Sequence, residues 1–212
     1  MSIRNDLAID AGPTSTRATI LDAAERLFGE RGFRKTTLED VAAAARVSRP
    51  LVYRYFGDKG VLFERVVDRV LKEWHAVLAA EAARATPSTA HTLRIVLAAC
   101  LAFARNRSVL RGLLVRDADL VRSAAGGVIA DEKNLLPRLI QEILERGVRR
   151  GDVRGDLATE DMAHVVSEVF VSYSLLLLEG ETGQVSDRRV EAIVETLLHG
   201  VIAAPPTGPA RR

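Results

Sequence analysis

Residues 36–59, TTLEDVAAAARVSRPLVYRYFGDK, read as two short helices joined by a tight turn. Thr37 can accept from backbone N–H groups left free at a helix start, and Asp40 three residues on completes a capping-box pattern. Leu38, Val41, Ala42 and Ala45 recur at i, i+3, i+4 and i+7, the apolar stripe of a two-turn helix. Val47-Ser48 then makes a turn. Ser48 is placed to cap the next helix, and Pro50 sits where a fixed φ helps and a missing N–H costs nothing. The second helix starts near Arg49. Val52, Tyr55 and Phe56 supply its inward face, leaving Arg49, Leu51, Tyr53 and Arg54 to project outward. A helix in the DNA major groove presents its N-terminal residues to base edges and its flanks to phosphates. Arg49 and Tyr53 suit those two tasks.

The flanks extend the pattern. Upstream, Arg17 to Phe33 is an amphipathic helix with Ile20, Ala24, Leu27 and Phe28 on one side, stopped by Gly32. Downstream, Asp58 can cap a long helix that opens with Lys59. From Arg17 to Leu62 the chain resembles the N-terminal domain of the TetR family of bacterial transcriptional regulators. The resemblance lies in the Ile-Leu-x-Ala-Ala-x-x-Leu-Phe first helix, the Gly-Phe-x-x-Thr-Thr join, the Val-Ser turn, and Tyr-x-Tyr-Phe followed by Asp-Lys. Several caps, apolar positions and turns agree at once, which makes the match specific. Two positions depart from the pattern: Arg46 stands where the family usually has Gly, at a turn that favours a left-handed backbone, and Gly60 where it commonly has Glu.

The resemblance implies a DNA-facing set of Arg17, Thr36, Thr37, Ser48, Arg49, Pro50, Leu51, Tyr53, Arg54, Tyr55 and Lys59. Thr37 would touch a phosphate with its hydroxyl proton while its oxygen caps the helix, and Arg49 would read base edges through a bidentate guanidinium. Tyr53 would donate to a phosphate, Lys59 would add charge near a helix N-terminus, and Arg17 would reach a neighbouring phosphate. Tyr55 has two readings, DNA contact or burial beside Phe56. Residues 31 to 59 hold seven basic and three acidic side chains, a surplus of four, against +2 for the whole chain. So small a surplus calls for two such domains on one near-palindromic double-stranded site, with strong salt dependence. A homodimer is therefore expected.

The 212 residues are 48% hydrophobic and only 5% aromatic, rich in Ala, Leu and Val, which fits an all-α fold. The expected organisation is a flexible arm over 1–13, then a three-helix helix-turn-helix domain over 14–74 with the motif at 37–56. A helical ligand-binding and dimerisation domain over 75–203 and a disordered tail over 204–212 complete it. No basic-then-apolar leader opens the sequence and no pure apolar run, Leu175 to Leu178 included, is long enough to span a bilayer, so a cytoplasmic protein without a membrane partner is expected. The single cysteine, Cys100, excludes an internal disulfide and reads as core filling.

Beyond Lys59 the periodicity predicts a helix to about Arg84, another over Thr89 to Arg105, and short helices over Ser108 to Arg116 and Asp117 to Ala125. A helix over about Val128 to Arg149, kinked at Pro137, precedes a turn over 151–156. The last two helices, Thr159 to Glu179 and Asp187 to Ala203, carry apolar stripes broad enough to suggest a partner surface. In the family the corresponding helices pair across a two-fold axis, which implies an interface of Val166, Phe170, Tyr173, Leu177, Val190, Ile193, Val194, Leu197 and Val201. Burial within one chain is the alternative.

The resemblance also implies a cavity for a small, hydrophobic ligand, with Trp74, His75, His91, Cys100, Phe103, His164 and Tyr173 as candidate contacts. The four histidines lie far apart in sequence with no partner at metal-binding spacing, so neither a metal nor a cofactor is expected. No nucleophile cluster, carboxylate pair or phosphate loop marks an enzyme. The functional expectation is a repressor released from its operator by a ligand; the alternative is a helical interaction module that uses the 53–56 surface without reading DNA.

Overall fold

The computed structural model describes residues 16–84, 86–107, 109–110, 135–179 and 187–202. Among them run eight helices: α1 (Thr16–Lys35), α2 (Leu38–Ala45), α3 (Arg49–Phe56), α4 (Lys59–Ala82), α5 (Thr89–Asn106), α6 (Leu135–Arg150), α7 (Thr159–Glu179) and α8 (Asp187–Val201). The chain divides into two compact units, residues 1–72 with 107–130 and residues 73–106 with 131–212.

In the first unit, α1 buries Ile20, Ala23, Ala24, Leu27 and Phe28 as the periodicity requires. Gly32, at φ 79° and ψ 165°, ends its regular course, a backbone open to glycine and costly for other residues. Phe28, Phe33 and Phe63 meet around one centre, with Phe63 edge-on to both others at 5.1 Å. Glu25 is buried, and its carboxylate takes Arg69 at 2.8 Å and Arg107 at 2.7 Å. That second pair explains why residue 107 belongs here: a buried charge needs compensation, and Arg107 supplies part of it.

In the second unit, α5 buries Leu93, Val96, Leu97, Cys100, Leu101 and Ala104, and α6 buries Leu136, Leu139, Ile140, Ile143 and Leu144. The α6 helix packs most extensively on α7. Gly147 of α6 lets α5 approach: a Cβ there would run into Thr89 Oγ1 and Val153 Cγ2. Asp152, just past the helix, accepts the Thr89 N–H at 2.8 Å and the Thr89 hydroxyl at 2.7 Å, closing the start of α5. Pro137 falls in the first described turn of α6, and the residues before it, against which the expected kink would show, lie outside the described residues. The expected arm, tail and short helices after Ser108, and residues 128–134, lie outside the described residues.

Candidate nucleic-acid interface

The start of α2 is built as its sequence demands. Thr37 Oγ1 accepts the Asp40 N–H at 3.1 Å and Asp40 Oδ2 accepts the Thr37 N–H at 3.0 Å, a complete capping box. The Thr37 hydroxyl proton goes to the same Asp40 oxygen at 2.7 Å. That bond, with the Thr37 N–H and Arg31 at 3.5 Å, holds the Asp40 carboxyl below its ordinary value. Thr37 is thus exposed but internally engaged, and contact with a phosphate would require it to give up Asp40.

Thr36 corrects the sequence reading outright. It is fully buried, and its hydroxyl donates to Leu27 O at 3.2 Å and Gly32 O at 2.9 Å. The side chain ties α2 to the broken end of α1 and is closed to DNA; two adjacent threonines face opposite ways because only one sits at the helix cap.

Between α2 and α3 the chain turns through Arg46 at φ 56° and ψ 40°, the left-handed backbone anticipated for this position. Its N–H closes onto Ala42 O and Ala43 O, satisfying carbonyls at the helix end. Ser48 stands at the α3 N-cap in an extended backbone, yet its hydroxyl makes no capping bond. Its carbonyl accepts from Leu51 and Val52 instead, so the expected side-chain cap is corrected to a backbone one. Pro50 occupies the first turn, where it takes no donor from the helix.

On α3, Val52 and Phe56 are buried, while Arg49, Pro50, Tyr53 and Arg54 are exposed and Leu51 and Tyr55 half-buried. Arg49 is arranged by its neighbours: Nη2 donates to the Tyr53 hydroxyl at 3.2 Å and lies 2.6 Å from Glu39 on α2, and the guanidinium sits over the Tyr53 ring at 5.3 Å. Tyr53 first and Glu39 next push the Arg49 pKa up. Arg54 similarly lies over Tyr55, whose ring centre is 6.3 Å from that of Phe56, so Tyr55 is partly packing.

Arg17 lies exposed at the start of α1, its guanidinium 5.9 Å from the centre of the Phe56 ring. Lys59 donates to Phe33 O at 3.1 Å and rests over the Phe33 ring at 4.4 Å, so its ammonium clamps α4 to the end of α1. Glu39, which sequence reading passed over, faces Arg49 across the turn; ten residues separate them, and no local spacing rule pairs them.

A capped helix, a left-handed turn and a second helix with an exposed Arg–Tyr face make a helix-turn-helix unit. Residues 20–66 match the family described as bacterial regulatory proteins, tetR family. Over this region the chain is similar to the TetR family. It is similar to the HTH-type transcriptional regulator BetI of Burkholderia thailandensis, 40% identical over 83 residues, 39% of this chain and 43% of that one. The similarity therefore spans less than half of BetI. The HTH-type transcriptional repressor BepR of Brucella suis is 26% identical over 178 residues, 82% of this chain and 85% of BepR. A crystal structure of a TetR-family transcriptional regulator from Pectobacterium atrosepticum superposes with a TM-score of 0.69 at 27% identity, covering 90% of this chain and 95% of that one.

The ligand candidates separate. Trp74 and Cys100 are buried and Phe103 is half-buried. Burial pushes the Cys100 thiol up to about 12, which keeps it protonated and unreactive. The Trp74 Nε1 is buried without a hydrogen-bond partner. His75, His91 and His164 instead lie on exposed helix faces, so the predicted set does not converge; their polar positions in the helical repeat put them in water. His164 lines an open cleft of about 270 Å³ with Arg138, Gln141 and Glu160.

The dimer candidates also need correction. Val166, Phe170, Val194 and Val201 are buried within the subunit, because their stripe is the one that packs on the chain's own helices. Ile193 and Leu197 are half-buried. Among the described side chains of α7, the exposed large apolar ones are Val165, 57% exposed, and Val169, 41% exposed, one residue earlier in the repeat. The side chains of Tyr173, Leu177 and Val190 lie outside the described residues.

Proposed function

We propose that this chain is a homodimeric transcriptional repressor that binds double-stranded DNA through α3 and is released by a small, hydrophobic ligand. The observation that carries the reading is the α3 surface: an arginine at its first turn, oriented by Tyr53 and Glu39, beside exposed Pro50 and Arg54. A guanidinium there suits bidentate contact with guanine, and the Tyr53 hydroxyl suits a phosphate. The similarity to BepR, named a repressor, supports the sign of regulation. An interaction module using 53–56 is disfavoured, because Phe56 is buried and Tyr55 half-buried, leaving little apolar surface to offer.

Dimerisation through α7 and α8 would place two α3 helices on successive major-groove turns, about 34–36 Å apart on a near-palindromic operator. Val165 and Val169, with the half-buried Ile193 and Leu197, are the outward apolar groups for that contact. No described helix is long and apolar enough to cross a membrane, which accords with work on DNA in the cytoplasm. Trp74, Cys100 and Phe103 remain the interior groups for a ligand. Helix α4 contributes residues to both units, so a ligand that prefers one setting of α4 would shift DNA affinity by its difference in affinity between the two settings.

Gel-shift on the promoter of its own or a neighbouring gene tests the proposal. A saturable shift is expected, lost or weakened at least about tenfold in Arg49→Ala and weakened in Tyr53→Ala, the scale of one lost bidentate base contact. Unchanged sequence-specific binding by both variants refutes the residue assignment. Unchanged operator affinity at ligand saturation and fixed salt refutes the switch.

A further inference from the structure

In the second unit, the end of α4, the start of α5 and the last turns of α6 enclose an open cleft of about 260 Å³. Three arginines line it, Arg84, Arg146 and Arg150, and no acidic side chain does. Two of the three are tethered from outside: Arg84 by Glu81 at 2.9 Å, and Arg150 by Asp152 at 3.5 Å with a bond to Thr89 Oγ1 at 2.6 Å. Arg146 has no carboxylate partner among the described residues. Its Nη2 donates to Ala82 O at 3.1 Å, a carbonyl at the end of α4. Each guanidinium carries five N–H donors in a planar fork, far more than these bonds use. The wall also holds the Thr86 and Thr92 hydroxyls, 2.5 Å apart, and Ile143 gives it an apolar side.

Glu81 and Asp152 offset two of these cations and hold them in place, while Arg146 brings to the concavity a charge with no carboxylate beside it, which an anion there would meet. We propose that this cleft binds a small molecule through a compact, multiply charged oxyanion, a phosphate or a polycarboxylate group, with a short apolar portion against Ile143. A volume just under the usual range for small-molecule pockets admits one such group and excludes a nucleic-acid duplex. Arg146, with spare donors and no internal counter-charge, is the principal contact. Arg84 is auxiliary, whereas the Thr86 and Thr92 hydroxyls spend their protons on each other and on Ser88 O. The inference stands apart from the DNA reading, since every residue it uses is in the second unit.

Calorimetric titration of the full chain with inorganic phosphate and with citrate, against chloride at matched ionic strength, tests it. Saturable binding of at least one oxyanion beyond the chloride control is expected, weakened about tenfold or more in Arg146→Gln, partly retained in Arg146→Lys, and weakened less in Arg84→Ala. Arg84 meets only Glu81 on the surface, so that variant reports on the cleft even if Arg146→Gln folds poorly. Phosphate-only binding assigns the site to phosphorylated ligands and citrate-only binding to carboxylates. Binding of neither beyond chloride, or full-strength binding by both Arg146→Gln and Arg84→Ala, overturns the proposal.

Discussion

Asp152→Ala isolates the joint that closes the second unit. The carboxylate accepts two bonds from one buried residue, the Thr89 N–H at 2.8 Å and its hydroxyl at 2.7 Å, while Arg150 lies 3.5 Å away. Removing it deletes an N-terminal cap of α5, worth about 1 kcal/mol. It also strands the proton of a hydroxyl whose residue is fully buried, at a further 1–3 kcal/mol or so. The total is about 2–4 kcal/mol, which for a chain of this size lowers Tm by on the order of 5–15 °C. Asp152→Asn retains one good acceptor and should lose about half as much. Circular dichroism melts at neutral pH measure both. The same joint sets a pH response. Burial raises the Asp152 pKa, but the two Thr89 bonds and Arg150 outweigh it and hold the carboxyl below its ordinary value. A depressed folded pKa means that the stabilisation is fully present above the unfolded value of about 4 and is lost as pH falls below it through the folded pKa. The wild type should therefore lose stability below about pH 4 more steeply than Asp152→Asn. If Asp152→Ala melts within about 1 °C of wild type, the capping account is refuted.

The other predictions concern single contacts. Arg46→Gly should raise stability by about 0.5–1 kcal/mol, because glycine accepts the left-handed turn without the Cβ penalty and the Arg46 side chain is exposed; Arg46→Ala should give no such gain in the same urea titration. Gly147→Ala should cost about 1–3 kcal/mol by forcing Thr89 and Val153 away from α6, and a urea midpoint at or above wild type would contradict that packing. Glu39→Gln should tighten DNA binding, most at low salt, since Arg49 no longer has to leave a carboxylate for the groove. Fluorescence anisotropy at two salt concentrations would show the reverse, weaker binding, if Glu39 serves only to position Arg49.

Much of the DNA-facing half was legible in the sequence because its signals are local. The Thr37–Asp40 box and the inward Val52 and Phe56 follow from spacings of three or four residues, and the left-handed turn at Arg46 was implied by the resemblance, which puts glycine there. Where the reading failed, the deciding neighbour was distant or the face was ambiguous. Thr36 looked like its neighbour Thr37 until the end of α1 folded back to claim its hydroxyl. A broad stripe on α7 cannot by its own periodicity say which edge packs inward, and the inward edge took Val166 and Phe170 while leaving Val165 and Val169 outside.

The sequence by itself determined the described helices, the Thr37–Asp40 cap of α2 and the exposed Arg49–Tyr53 pair, since hydrogen-bond closure and the 3.6-residue repeat act within a few residues. Only the tertiary structure decided which charges meet. Glu25 with Arg69 and Arg107, Glu39 with Arg49, Thr89 with Asp152, and Arg84 with Arg146 around one cleft join positions separated by ten to eighty-two residues. Such pairings depend on how helices pack, and packing is set by the shape of the whole apolar core, which no local window of the chain contains.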